Sequence, residues 1–155
     1  TKMGTATVGN VDGDGDVTGT GGNSSSRISA ARGLASSGLS ALDQIVDQLD
    51  AQLGEFSGSI GIRKKKYVVD PSGRGKTKGS GVLKFDTEQE ATQALLADLI
   101  ADGAVKGVSA AIQKALRSSS DVQKAVNEAL RVQEVELAIG GLGAQLEKAF
   151  TDLEK

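Results

Sequence analysis

Two stretches of this chain carry residue types at spacings that do chemistry in other proteins. Residues 70–77, DPSGRGKT, nearly match the phosphate-cradling pattern GxxxxGK[ST], in which backbone N–H groups and a lysine hold phosphate oxygens. The first glycine is replaced by Asp70, an anion where the phosphate would sit. The pattern also needs a helix beginning at the Lys-Thr pair, so that its N-terminus faces the phosphate. Here Lys78-Gly79-Ser80-Gly81-Val82-Leu83 reads as loop and strand, so the stretch is expected to be a flexible hairpin tip and not a nucleotide site. Residues 10–21, NVDGDGDVTGTG, place Asn10, Asp12 and Asp14 at alternating ligand positions of a calcium loop, with Gly15 at its sharp turn. The last position, where that loop requires an acid, is Gly21. The stretch therefore reads as an acidic linker that holds Ca²⁺ weakly at most.

The chain has no histidine and no cysteine. That excludes thiol nucleophiles, Cys/His zinc sites, histidine bases and the usual serine triad. Carboxylates remain at Asp43, Asp47, Asp50, Glu128, Glu134 and Glu136, but any solvated helix face carries such acids. Nothing singles out an acid/base pair. The expectation is a protein that is not an enzyme, with no cofactor and no metal.

Charge is the stronger signal. Residues 63–78 carry net +6, while the whole chain is at −2. Arg63, Lys64, Lys65, Lys66, Arg74, Lys76 and Lys78 are the candidate contacts for an anionic partner. Lysines on an edge strand also guard against aggregation, which is the alternative account of part of this charge. Nucleic acid is disfavoured, because Tyr67 is the lone aromatic of the basic segment and the chain as a whole is acidic, with pI ≈ 5.2.

The elements that must position these residues follow from periodicity. Residues 1–26 are rich in Gly, Thr, Ser and Asp, which is flexible-linker composition, with a short strand at Val8, Val11 and Val17 at most. Residues 27–155 form the expected helical domain. Leu39, Leu42, Val46, Leu49, Leu53 and Phe56 are spaced as an a/d seam on one helix over 27–56. That helix docks on its own domain or self-associates as a coiled coil; self-association through 39–56 is the expectation carried forward. Residues 59–70 and 81–86 read as the two strands of a basic hairpin, with Arg63–Lys66 inside the first. Thr87 and Glu90 match a capping box that opens a helix over 87–101, stopped by Asp102-Gly103. Its Ala91, Leu95 and Leu99 stripe is expected to cover Ile60, Ile62, Val82 and Phe85. A further helix carries Val105, Val108, Ile112, Ala115 and Leu116; another begins near Val122 and is broken or kinked at Gly140-Gly141. The fold class is α+β and mostly α: an amphipathic helix, a two-stranded basic hairpin at 59–86, then three or four helices. Four aromatic residues leave a thin core, so a larger parent protein is expected, and both ends look cut from one. No apolar run is long enough to span a bilayer.

From residue 39 onward the order of features resembles a region of the tail tape measure proteins of tailed phages and prophages. The likeness rests on the seam helix LSALDQIVDQLDAQLG, the basic hairpin, and most of all residues 85–140. There an acidic start follows Phe85, then DGAVKG at 102–107, IQKALRSSSD at 112–121 and VQEVELAIGG at the end. The resemblance implies a structural virion component. Such proteins are long, largely helical and multi-copy, lie inside the tail tube, set tail length during assembly in the bacterial host cytoplasm, and engage tail-tip proteins. It implies no catalytic residue, and the motifs of the cell-wall-cleaving domains that some members carry do not occur here. The alternative is an autonomous α+β binding module whose basic hairpin grips an anionic partner.

Overall fold

The computed structural model describes residues 1–10 and 15–153, with side chains as far as residue 140. In chain order the elements are β1 (Met3–Asn10), β2 (Asp16–Gly22), α1 (Ser25–Gln48), β3 (Gln52–Leu53), β4 (Phe56–Arg63) and β5 (Lys66–Asp70). They continue with β6 (Leu83–Phe85), α2 (Glu88–Ala101), β7 (Val105–Lys106), α3 (Ala110–Leu116) and α4 (Val122–Leu153). Among the described residues this is an α+β chain with four helices and a five-stranded antiparallel sheet ordered β2-β1-β4-β5-β6. The short β3 and β7 pair separately.

Of the flexible linker expected over residues 1–26, Met3–Asn10 and Asp16–Gly22 are instead strands of the sheet. β1 lies between β2 and β4, pairing Ala6 with Ile60 and Val8 with Gly58, and both Ala6 and Val8 are fully buried. Strand alternation explains it: Ala6 and Val8 face the helices, while Thr5 and Thr7 face the other way. The glycines mark close approach. A Cβ on Gly4 would lie 2.2 Å from the backbone N of Ile28, so β1 and the first turn of α1 meet backbone to backbone.

The two-stranded hairpin is also revised. Residues 59–70 are not one strand, because the chain turns at Lys64-Lys65 between β4 and β5, with Arg63 opposite Lys66. Lys64 takes the left-handed conformation at φ 58 that this tight turn needs. The return over 81–86 is only β6, which adds to the edge of β5.

The seam at Leu39, Leu42, Val46, Leu49, Leu53 and Phe56 is not one helical face. α1 stops at Gln48; Leu53 belongs to β3 and Phe56 to β4. The stop is a Schellman motif, with Ala51 N–H on Val46 O and Asp50 N–H on Asp47 O, and Asp50 at φ 49. Leu42, Leu49 and Phe56 then enter one intramolecular core, and Leu39, Val46 and Leu53 pack on its rim. The seam is used up inside the domain, so it does not carry self-association.

α1 and α2 cover one face of the sheet, where Leu42, Leu95 and Leu99 meet Val8, Ile60 and Val69. The crossing is close at Gly38, where an added Cβ would sit 3.1 Å from Leu95 Cδ2. α2 follows its sequence signals. Thr87 Oγ1 accepts the Glu90 N–H, the stripe Ala91, Leu95 and Leu99 is buried, and Gly103 ends the helix at φ 103. Ile60 is buried and Phe85 packs on the core, whereas Ile62 is half-buried and Val82 lies in the loop before β6. Val105 is in β7 and not in the next helix, which starts after its cap Ser109. α4 runs through Gly140-Gly141 without a break.

Candidate functional site

Alternation puts a second set of side chains on the sheet face away from α1 and α2. Register aligns Thr5, Gly61, Val68 and Lys84 across four strands, with Met3, Arg63 and Lys66 in the next row. Residues 71–82, the loop from β5 to β6, fold over part of this face. Gly75 stands above Thr5 and Thr7, Gly73 above Ser57, and Thr77 Oγ1 reaches Met3 Sδ at 3.5 Å.

Asp70 fastens this loop. One carboxylate oxygen accepts the Ser72 N–H at 3.0 Å and the Ser72 hydroxyl at 2.6 Å; the other accepts the Lys76 N–H at 2.9 Å. Burial works against the charge on Asp70, but these bonds and the nearby Lys76 outweigh it and hold its pKa below the usual carboxylate value. The loop that resembles a phosphate cradle thus spends its donors on its own carboxylate. A strand, β6, follows where a nucleotide site needs a helix.

Beside the loop is a cleft of about 80 Å³ lined by Arg63, Lys64, Lys66, Val68, Thr77 and Lys84. Lys66 pairs with Asp86. Arg63, Lys64 and Lys84 make no ion pair among the described residues, and Arg63 Nε is buried without a hydrogen-bond partner there. The fold therefore brings together Arg63, Lys64 and Lys66 of the expected cationic set. Lys65 sits at the exposed turn, and Arg74, Lys76 and Lys78 are exposed along the loop. Lys84 and Thr77 were not among the expected contacts. The signal for Lys84 was available: it alternates with Leu83 and Phe85, which face the helices.

A second group lies at the end of α2. Asp98 and Asp102 are one turn apart; Asp102 Oδ2 accepts the Ser57 N–H at 3.1 Å, while Asp98 Oδ2 is buried without a partner among the described residues. Burial, then the charges of Asp102 and Asp70, push Asp98 up to about 6. Asp98 can exchange a proton near neutral pH, and the carboxylates that act on it are those of Asp102 and Asp70. Of the calcium-loop residues, Asp12 and Asp14 lie outside the described residues; Asn10 is buried and donates to Gly54 O at 2.6 Å. Among the described residues no cluster of acids, histidines or cysteines is placed to hold a metal ion. No helix of the described residues is long and apolar enough to cross a membrane. Comparison with family models, curated proteins and solved structures gave no match.

Proposed function

We propose that this chain is a structural, non-catalytic segment of a tail tape measure protein, built into a phage or prophage tail during assembly in the bacterial host cytoplasm. The observation that carries the reading is the run of residues 85–140, where the sequence likeness is greatest. It folds consecutively as α2, β7, α3 and the first part of α4, and α4 then continues to Leu153. A 32-residue helix is about 48 Å long, a spacer dimension more than a packing one for a domain of this size. The partners of this reading are further copies of the parent protein, the tail tube and the tail-tip proteins.

The test is made on particles. Tails purified from a host that carries the gene should contain peptides of this chain by mass spectrometry. In-frame removal of helical residues from the parent protein should shorten the tails. Tails that lack the chain, or that keep their length after such a deletion, overturn the reading.

The cationic cleft favours a second reading, a binding module for an anionic protein partner. Three lining cations, Arg63, Lys64 and Lys84, that make no ion pair among the described residues are the observation behind it.

A further inference from the structure

β6 ends the sheet, and among the described residues it pairs with β5 alone. Its outer edge therefore offers backbone donors and acceptors that no neighbouring strand takes up. Beside that edge runs a groove of about 820 Å³. Leu83 and Phe85 of β6 line one side, and Glu90, Ala94, Ala97 and Asp98 of α2 line the other. Leu83 is 45% exposed, the one large hydrophobe of the sheet left so open among the described residues. The small side chains of Ala94 and Ala97 keep α2 from filling the space. Two carboxylates and, among the described residues, no lysine or arginine line the groove. Asp98 lies toward its Leu83 end, within reach of the charge of Asp70, which follows Val69, the partner of Leu83. Glu90 lies toward the other end, bonded to the hydroxyl of Thr87 just after Phe85. One Asp98 oxygen is buried with no hydrogen-bond partner among the described residues.

We propose that this groove takes up an extended peptide of the pattern basic-x-apolar-x-basic as a sixth strand on β6. Strand addition supplies the backbone hydrogen bonds, and the groove reads alternate side chains. The spacing of the acids sets the pattern. Glu90 and Asp98 are eight residues apart, about 12 Å along α2. An extended chain rises about 3.3 Å per residue, so two side chains four residues apart on one face, about 13 Å, reach both carboxylates. The side chain midway between them falls over Ala94 and Ala97 and against Leu83 and Phe85, where an apolar group is covered. A cation at each outer position meets an acid, and Asp98 gains the counter-charge that the fold does not give it. Lys84 lines the cationic cleft on the opposite face of the sheet, so it does not oppose a basic peptide here. The inference rests neither on the tail reading nor on that cleft.

Fluorescence anisotropy of the full chain with a labelled peptide containing Lys-Thr-Val-Thr-Lys is expected to show saturable binding. The same residues in the order Lys-Lys-Val-Thr-Thr should bind at least tenfold more weakly. Glu90→Gln, which keeps the capping role, and Asp98→Asn should each weaken binding at least fivefold with no loss of melting temperature. Asp43→Asn, the same charge change at an exposed position of α1, should leave binding unchanged. Ala97→Phe, which fills the groove without changing its charge, should abolish binding. Strand addition has its own readout: N-methylation of alternate backbone amides of the peptide should abolish binding for one of the two alternate sets and spare it for the other. No saturable binding, equal binding of the two residue orders, or indifference to Ala97→Phe overturns the proposal. Indifference to both methylated sets overturns the strand geometry. A dimer in sedimentation that Ala97→Phe dissociates, with no peptide bound by the native chain, would give the groove to a second copy instead.

Discussion

The Asp70 carboxylate accepts the backbone N–H of Lys76 at 2.9 Å, across the loop that most resembles a phosphate site. Its second oxygen is held by Ser72, so three donors converge on a single anion. Hydrogen bonds to a charged group contribute about 1.5–3 kcal/mol. Asp70→Ala should therefore destabilise the fold by about 2 kcal/mol and free the loop, with faster tryptic cleavage at Arg74 and Lys76. The depressed pKa sets the pH dependence. The stabilisation is present above the ordinary carboxylate range and is lost as pH falls through the folded value. The gap in melting temperature between the native chain and Asp70→Asn should narrow below about pH 4.

Asp98 has the opposite sign. Its folded pKa is about 6 against an ordinary 3.8, so between those values the folded chain binds more protons than the unfolded one. Stability should fall as pH rises through that window. Asp98→Asn removes the buried charge and should raise stability at pH 7 by on the order of 1 kcal/mol, after discounting for solvent at a half-buried group. Denaturant titrations at pH 4.5 and pH 7.5 check this. The variant should gain at the higher pH and leave a flatter profile; an unchanged slope would show that Asp98 is not the titrating group.

Asp50 closes the Schellman motif of α1 in the left-handed conformation at φ 49, a position that glycine occupies more cheaply. Its side chain is exposed. Asp50→Gly should therefore stabilise the chain by about 0.5–1 kcal/mol, seen as a higher midpoint in urea. Asp50→Val, β-branched at positive φ, should lower it.

The same residue shows where the sequence was legible and where it was not. α2 was readable because Thr87, Glu90 and Gly103 are conventional caps around a clear apolar stripe. The end of α1 was not, because an aspartate does the work usually given to glycine, and the hydrophobic 3,4 spacing ran on through Leu49, Leu53 and Phe56 by coincidence of burial in one core. β1 was hidden by composition. Its Gly and Thr residues look like linker until the α1 backbone is seen against Gly4. The cationic cleft was half legible: the charge run was plain, but only the turn at Lys64-Lys65 and the pairing of β5 with β6 bring Lys84 into it.

Gly4 gives a direct test of the revised N-terminal region. An added methyl would meet the backbone of Arg27 and Ile28 at 2.2–2.6 Å, and backbone cannot move aside as a side chain does. Gly4→Ala is expected to cost about 2–3 kcal/mol, the range of overpacking in a core. Gly33→Ala, with open space around its added Cβ, should instead stabilise α1 by about 0.5–1 kcal/mol. Thermal melts of the two variants should move in opposite directions. If residues 1–26 were a linker, Gly4→Ala would be silent.

The cationic cleft separates a contact surface from simple edge protection. Lys84 lies on β6, the edge strand beside the cleft, where a charge of either sign discourages pairing with another sheet. Recognition of an anion requires a positive one. Lys84→Glu together with Arg63→Glu should leave solubility unchanged but reduce binding of a fluorescent poly-glutamate peptide at least tenfold at low salt. Lys65→Glu, at the exposed turn outside the cleft lining, should reduce it less. Binding to the native chain should weaken steeply with added salt, because exposed cations are screened within about 10 Å at 0.1 M. Lys84→Val discriminates the other role: aggregation of this variant, with peptide binding indifferent to both glutamate substitutions, would assign the charge to edge protection alone. Loss of binding in the double variant without aggregation would assign it to a partner.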